Sequence, residues 1–232
     1  MTRVLVIDDE KPTLSMFRLF LAAYGYEVFT AQSGAEGLTI FKAHHPEIVF
    51  TDIKMPGMDG LTVLKEIRSL DRASQIIVIT GHGDLEKAME AMDLDASDFI
   101  NKPVDRQALD AALDRAEKRR QLPAGMRFTV SRKTGTPDLV FILSGRFTGQ
   151  DPDLLFEQIT RNKITDQTVI LDMDAGFSIN RAGIAGLIRT IERLRGQNIR
   201  VVLKNVSCNF SRLFKMVGLD KLADIREARV ED

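Results

Sequence analysis

The fold of this chain is decided by the stretch Ile48-Val49-Phe50-Thr51-Asp52, an apolar run that ends on a carboxylate. A loop rich in turn-forming residues follows it, Ile53-Lys54-Met55-Pro56-Gly57-Met58-Asp59-Gly60. Open α/β sheets keep their sites at the carboxyl ends of their strands. Asp52 is therefore the first candidate for the functional centre.

Strand-like runs lie on both sides of this stretch and alternate with helical patterns. The five runs are Arg3–Ile7, Glu27–Ala31, Ile48–Thr51, Gln75–Thr80 and Asp98–Asn101. The first, third and fourth have continuous apolar cores, which are typical of strands buried on both faces of a parallel sheet. This alternation predicts a doubly wound α/β domain with a five-stranded parallel sheet and right-handed crossovers.

Length and composition are those of a globular protein with room for two domains: 232 residues, 44% hydrophobic and 28% charged. The single cysteine, Cys208, excludes an intrachain disulfide and favours a reducing compartment. No apolar stretch approaches the roughly 18 residues of a membrane span, and no signal-peptide pattern opens the sequence. We therefore expect a cytoplasmic protein. The net charge of −1 argues against a nucleic-acid-binding one.

Charge divides the chain into two parts. Residues 1–125 hold 15 Lys+Arg and 20 Asp+Glu, a net charge of −5, whereas residues 126–232 hold 17 and 13, a net charge of +4. The change of sign coincides with Leu122-Pro123-Ala124-Gly125, which ends a charged helical pattern. We predict a first domain over 1–121, a linker over 122–126 and a second domain over 127–232.

Polar side chains follow four of the predicted parallel strands, where their carboxyl ends meet. The set is Asp8, Asp9, Asp52, Thr80 and Lys102. Like charges about 4 Å apart repel by roughly 4 kcal/mol at an effective dielectric of about 20, so three clustered aspartates require a cation or a proton. Hard oxygen ligands favour Mg²⁺ over zinc or copper. The lysine and the threonine suit an added anion, such as a phosphoryl group on Asp52. Any one of these residues alone is more often a helix cap or an exposed charge.

Four motifs stand at these strand ends: Asp8-Asp9-Glu10, Asp52 with the Lys54-Met55-Pro56-Gly57-Met58-Asp59-Gly60 loop, Thr80-Gly81 and Lys102-Pro103. Together they resemble the receiver domain of two-component response regulators, and the resemblance covers residues 1–121. It implies a flavodoxin-like sheet in the order 2-1-3-4-5. It also implies that Asp52 accepts a phosphoryl group from a sensor histidine kinase.

The resemblance also implies a metal site. Asp9, Asp52 and the backbone carbonyl of Lys54 would be ligands of Mg²⁺. Asp8 would contribute through a water molecule. No other cofactor is expected.

A switch is implied in the same way. Lys102 would pair with the phosphoryl oxygens, and Thr80 would be drawn toward them. The family's switch aromatic lies three residues before the lysine, where this chain has Phe99. Phenylalanine lacks the hydroxyl of the tyrosine common at this position, so only burial of its ring can carry the signal.

Residues 127–232 have a different pattern, which predicts a smaller α/β domain. Two segments stand out, Val169-Ile170-Leu171-Asp172-Met173 and Phe177-Ser178-Ile179-Asn180-Arg181-Ala182-Gly183-Ile184-Ala185-Gly186-Leu187. They resemble the STAS domain, the fold of anti-sigma factor antagonists, and this resemblance implies a mixed sheet. In that family a serine before the equivalent of Gly183 is phosphorylated by a partner kinase. The aligned residue here is Ala182, which cannot be phosphorylated, and we expect no phosphate on the nearby Ser178.

The second half shows no nucleophile–base pair, no Gly-rich phosphate loop and no helix-turn-helix pattern, and all three histidines lie in the first half. We therefore expect a signalling protein rather than an enzyme or a DNA-binding protein. The sequence predicts a bacterial-type response regulator whose STAS domain switches protein–protein binding. The expected partner is an anti-sigma factor of the serine-kinase type or another component of a partner-switching complex.

Two alternatives remain open from the sequence. One is a phosphate sink or relay in which the STAS domain is a scaffold. The other is a STAS domain that senses a nucleotide or another small ligand. The direction of the switch and a homodimer through the receiver also remain open.

Overall fold

The computed structural model describes residues 1–81, 84–123, 125–136, 138–161 and 167–228. The chain divides into two compact units, Met1–Ala124 and Gly125–Asp232. The predicted linker, 122–126, spans this division, and its residue 124 lies outside the described residues. Within the described ranges, no helix combines the length and the apolar character needed to cross a membrane.

The described part of the first unit contains five strands that alternate with five helices. The strands are β1 (Arg3–Ile7), β2 (Glu27–Ala31), β3 (Ile48–Asp52), β4 (Gln75–Thr80) and β5 (Asp98–Asn101). The helices are α1 (Lys11–Ala23), α2 (Gly34–His44), α3 (Gly60–Leu70), α4 (Leu85–Asp93) and α5 (Arg106–Arg120). All pairs are parallel, in the order β2-β1-β3-β4-β5, which confirms the predicted doubly wound sheet.

The central strand, β3, is buried along its whole length, as its apolar sequence predicts. It pairs with β1 on one side and with β4 on the other. The order of the strands reverses between β1 and β3, so a crevice lies beyond the carboxyl ends of these two strands. α3 begins directly against this end of β3. A Cβ atom on Gly60 would lie 2.1 Å from the carbonyl oxygen of Asp52, so this close approach requires glycine.

Polar side chains cap the N-terminal ends of three helices in the first unit. Ser33, Asp59 and Asp105 occupy the N-cap positions of α2, α3 and α5, and each accepts a hydrogen bond from the backbone N–H three residues later. Such caps satisfy backbone donors that a helix leaves unpaired. Asp84 holds the same position at α4, but its side chain makes no capping hydrogen bond.

The second unit is a smaller α/β domain. Its strands are β6 (Thr129–Arg132), β7 (Leu139–Ser144), β8 (Arg146–Phe147), β9 (Thr168–Met173), β10 (Ser178–Ile179), β11 (Arg200–Val206) and β12 (Asp224–Glu227). Its helices are α6 (Pro152–Thr160), α7 (Arg181–Arg195) and α8 (Cys208–Met216), followed by a 3₁₀ turn over Leu219–Lys221.

The larger sheet of this unit has the order β12-β11-β9-β7-β6. β6 pairs antiparallel with β7, and the other pairs in this sheet are parallel, which confirms the predicted mixed sheet. β8 and β10 form a separate parallel pair. Neither of these two strands is predicted from the sequence, because a strand of two residues is too short to show an alternating pattern.

Candidate functional site

Asp52 is the last residue of β3 and is 4% exposed. Its Oδ2 atom accepts a hydrogen bond from Lys102 Nζ at 2.8 Å. Its Oδ1 atom accepts a longer one, 3.4 Å, from the backbone N–H of Lys54. The carboxylate is therefore held at the edge of the crevice from two sides.

Two further acids follow β1. Asp8 is fully buried, and its Oδ1 atom accepts a hydrogen bond from the backbone N–H of Glu10 at 2.8 Å. Asp9 is exposed. One carboxylate oxygen from each of Asp8, Asp9 and Asp52 lies within 4.8 Å of the other two. The structure thus brings together the three aspartates that the sequence predicted to meet.

Lys102 supplies the positive charge at this cluster. Its Nζ atom lies 3.2 Å from Asp8 Oδ2 as well as 2.8 Å from Asp52 Oδ2. Its backbone N–H donates to the carbonyl of Thr80, which fixes the end of β5 beside the end of β4. One ammonium group therefore joins the ends of β1, β3 and β5.

These contacts shift the ionisation of the cluster. Burial lowers the pKa of Lys102, but hydrogen bonding and attraction to Asp52 and Asp8 outweigh burial, so the pKa is raised overall. Burial also raises the pKa of Asp8, although the hydrogen bond from Glu10 and the charge of Lys102 oppose this. The lysine is thus held firmly in its charged form.

The two predicted switch residues are both buried. Thr80 ends β4 and is 1% exposed, and its hydroxyl donates to the carbonyl of Gly81 at 3.1 Å rather than to the aspartate cluster. Phe99 lies in β5 and is 1% exposed. The sequence prediction for Phe99 depends on the burial of its ring, because phenylalanine has no hydroxyl.

The side chain of Lys54 makes a contact that sequence reasoning missed. The prediction used only its backbone carbonyl, yet its Nζ atom lies 3.1 Å from Asp84 Oδ2. No local pattern signals this pair, because the two residues lie on different loops. Only the parallel alignment of β3 and β4 brings those loops together.

In the second unit, Ala182 is the second residue of α7 and is exposed. The helix is capped by Asn180, whose Oδ1 atom accepts a hydrogen bond from the backbone N–H of Gly183 at 2.8 Å. A Cβ atom on Gly183 would lie 2.3 Å from the carbonyl oxygen of Phe147, so α7 approaches β8 closely. Ser178, on which we expect no phosphate, is 3% exposed.

Comparison with known families agrees with this geometry. A model of the response regulator receiver domain matches residues 4–114, and a model of the STAS domain matches residues 127–231. The chemotaxis protein CheY of Bacillus subtilis is 38% identical over 102 residues, which cover 44% of this chain and 85% of CheY. This chain belongs to the response regulators.

Other relatives match the receiver half of this response regulator. The regulatory protein AtoC of Escherichia coli is 37% identical over 114 residues, 49% of this chain and 25% of AtoC. A crystal structure of a response regulator receiver domain protein from Clostridium thermocellum superposes with a TM-score of 0.50 and 39% identity. This superposition covers 52% of this chain and 98% of the Clostridium thermocellum protein. The match therefore covers about a quarter of the length of curated relatives such as AtoC.

Replacing Lys102 by Met should destabilise the first unit, because it leaves the carboxylates of Asp8 and Asp52 without a counter-charge. We expect the free energy of unfolding to fall by about 2 kcal/mol in EDTA, measured by urea unfolding. Breaking a fully buried pair costs roughly 3–5 kcal/mol. The smaller value applies because the Lys102 side chain is 28% exposed.

Lys118→Met is the matched control for this change. Lys118 pairs with Asp114 at 2.8 Å on α5, and its side chain is 58% exposed. An exposed ion pair contributes little, so we expect a change below about 0.5 kcal/mol. Equal losses in the two variants would show that the charge of Lys102 is not needed to hold the cluster together.

Proposed function

We propose that a sensor histidine kinase phosphorylates Asp52 and that this switches the binding of a protein partner by the STAS domain. The observation that carries the proposal is the cluster at the end of β3. There Lys102 Nζ lies 2.8 Å from Asp52, with Asp8 and Asp9 within reach of the same point. A nucleophilic carboxylate beside a fixed cation and an acidic cluster is suited to phosphoryl transfer.

The phosphoryl transfer itself involves few groups of the protein. One carboxylate oxygen of Asp52 attacks the phosphorus of a phosphohistidine on the kinase. The P–O bond forms as the P–N bond breaks, and the electron pair of the P–N bond stays on the imidazole nitrogen, which takes up a proton. Lys102 then pairs with phosphoryl oxygens, because charge-assisted hydrogen bonds to phosphate are strong.

The acidic cluster also fits a Mg²⁺ ion. Its carboxylate oxygens lie within 4.8 Å of one another, and Mg²⁺ prefers carboxylate, carbonyl and water oxygens. We assign Asp9, Asp52 and the backbone carbonyl of Lys54 as direct ligands and Asp8 as a ligand through water. When bound, Mg²⁺ would neutralise the charge that develops on the transferred group.

The phosphoryl group would act on the two switch residues. The hydroxyl of Thr80 would leave the carbonyl of Gly81 and donate to a phosphoryl oxygen. This movement changes the packing around the buried ring of Phe99, and the response regulator shifts between two states. The signal then reaches α4, β5 and α5, the surface that we expect to change.

The assignment of the output is supported by Ala182. Because this exposed position carries no hydroxyl and Ser178 is buried, the STAS domain lacks an accessible serine at the usual place. Control therefore moves to Asp52. The partner we assign is an anti-sigma factor of the serine-kinase type or another partner-switching component. Direct DNA binding and enzymatic catalysis by the STAS domain are not part of the proposal.

Acetyl phosphate with Mg²⁺ should add one phosphoryl group to the wild-type chain, detected as a mass increase of the intact protein. Asp52→Asn should abolish the label, because an amide oxygen is a far weaker nucleophile than a carboxylate. Asp114→Asn, which removes an exposed acid from α5, should be labelled like the wild type. Equal labelling of Asp52→Asn would contradict the assignment.

Mg²⁺ should raise the thermal stability of the chain, because a ligand that binds only the native state stabilises it. At a Mg²⁺ concentration about 100 times Kd the gain is roughly 2.7 kcal/mol. Asp9→Asn should lose most of this gain, whereas Asp114→Asn should keep it. A Mg²⁺-dependent shift that persists in Asp9→Asn would place the ion elsewhere.

Beryllofluoride, which mimics the phosphoryl group on Asp52, should change the affinity of the chain for its partner by roughly 5- to 150-fold, the usual range of allosteric coupling. A pull-down with and without beryllofluoride measures this, with Asp52→Asn as the control. Binding that stays constant would instead support a scaffold. Absence of any partner would support a phosphate sink or relay, and displacement by a small molecule would support ligand sensing.

A further inference from the structure

An ion pair joins the two loops that follow β3 and β4. The Nζ atom of Lys54, two residues after Asp52, lies 3.1 Å from Asp84 Oδ2. A Cβ atom on Gly81, the residue after Thr80, would lie 3.9 Å from the same Nζ atom. The ammonium group of Lys54 therefore crosses from the loop that follows the phosphoacceptor to the loop that follows the switch threonine.

This ion pair occupies a carboxylate that could cap α4. Asp84 is the N-cap residue of α4, with φ −83° and ψ 62°, and makes no side-chain capping hydrogen bond. The N-caps of α2, α3 and α5 have extended backbone, and each accepts a hydrogen bond from the N–H three residues later. At α4 the equivalent donor is the backbone N–H of Lys87. In this structure the Asp84 carboxylate therefore contacts Lys54 and does not cap α4.

We propose that Lys54 is a second, movable cation of the phosphoacceptor pocket and that Asp84 is its resting partner. When Asp52 is phosphorylated, the ammonium group leaves Asp84 and bonds the phosphoryl oxygens. The freed carboxylate of Asp84 then accepts a hydrogen bond from the backbone N–H of Lys87. α4 gains its N-cap in the phosphorylated state. This inference rests on the proposed function, since it needs a phosphoryl group on Asp52.

The contacts of Lys54 allow its ammonium group to change partner from Asp84 to the phosphoryl group. Its side chain is 69% exposed, and exposed ion pairs contribute little to stability. A phosphoryl group carries more negative charge than a carboxylate and offers more acceptor oxygens. The new cap also stabilises the start of α4, which offsets the lost ion pair. Lys102 bonds two buried carboxylates and is 28% exposed, so it is the fixed cation of the two.

The experiment measures hydrogen exchange of the Lys87 amide by NMR in the full chain, with and without Mg²⁺ and beryllofluoride. In the wild type, beryllofluoride should slow exchange about fivefold, the factor that corresponds to a typical N-cap. In Lys54→Met, exchange should already be slow without beryllofluoride, because Asp84 has lost its ion-pair partner. In Asp84→Ala, exchange should stay fast under both conditions.

Lys118→Met serves as the charge-matched control, because it removes an exposed ion pair from α5 and should behave like the wild type. Exchange in Lys54→Met that equals the unphosphorylated wild type would overturn the proposal. So would a wild-type rate that beryllofluoride leaves unchanged while acetyl phosphate still labels Asp52.

Failure of the proposed function has a different signature. If acetyl phosphate does not label wild-type Asp52, the phosphoacceptor assignment fails, and with it the transfer of Lys54. The comparison of wild type and Lys54→Met without beryllofluoride still decides whether Lys54 holds Asp84 away from α4.

Discussion

The repulsion among three carboxylates at one edge of the first sheet is the constraint on which the site depends. Asp8 is fully buried and Asp52 nearly so, and one ammonium group, that of Lys102, bonds both. This contact requires the ends of β1, β3 and β5 to meet, which the parallel order of the sheet provides. Lys102 alone does not balance the charge of these three acids. The remaining negative charge supports the proposal that Mg²⁺ and then a phosphoryl group bind here.

The two lysines of the crevice differ in their surroundings, and the difference divides their roles. Lys102 lies between buried carboxylates, where loss of the charge is costly. Lys54 is mostly exposed and holds Asp84, the N-cap residue of α4. A charge that arrives at Asp52 can therefore leave the first lysine in place and redirect the second. In this way a local change of charge would alter the start of a helix that lies outside the crevice.

The start of α7 in the second unit is held by contacts on both sides of Ala182. Asn180 caps α7 and Gly183 admits the close approach of α7 to β8, so the helix is fully supported. Ala182 lies between them, exposed and without a hydroxyl. The described contacts at the start of α7 therefore do not involve a hydroxyl at this position. This is why we propose that control of the STAS domain lies with Asp52 of the receiver.

The sequence by itself determined the α/β class, the strand order implied by the receiver motifs, the mixed second sheet and the meeting of Asp8, Asp9, Asp52 and Lys102. Apolar runs and strand-end residues are local features, and a parallel sheet aligns them at one edge. Tertiary structure alone decided the Lys54–Asp84 pair, the hydrogen bond of Thr80 to Gly81, the burial of Ser178 and the short strands β8 and β10. These features depend on which loops meet and which way side chains turn, and no short stretch of sequence carries that information.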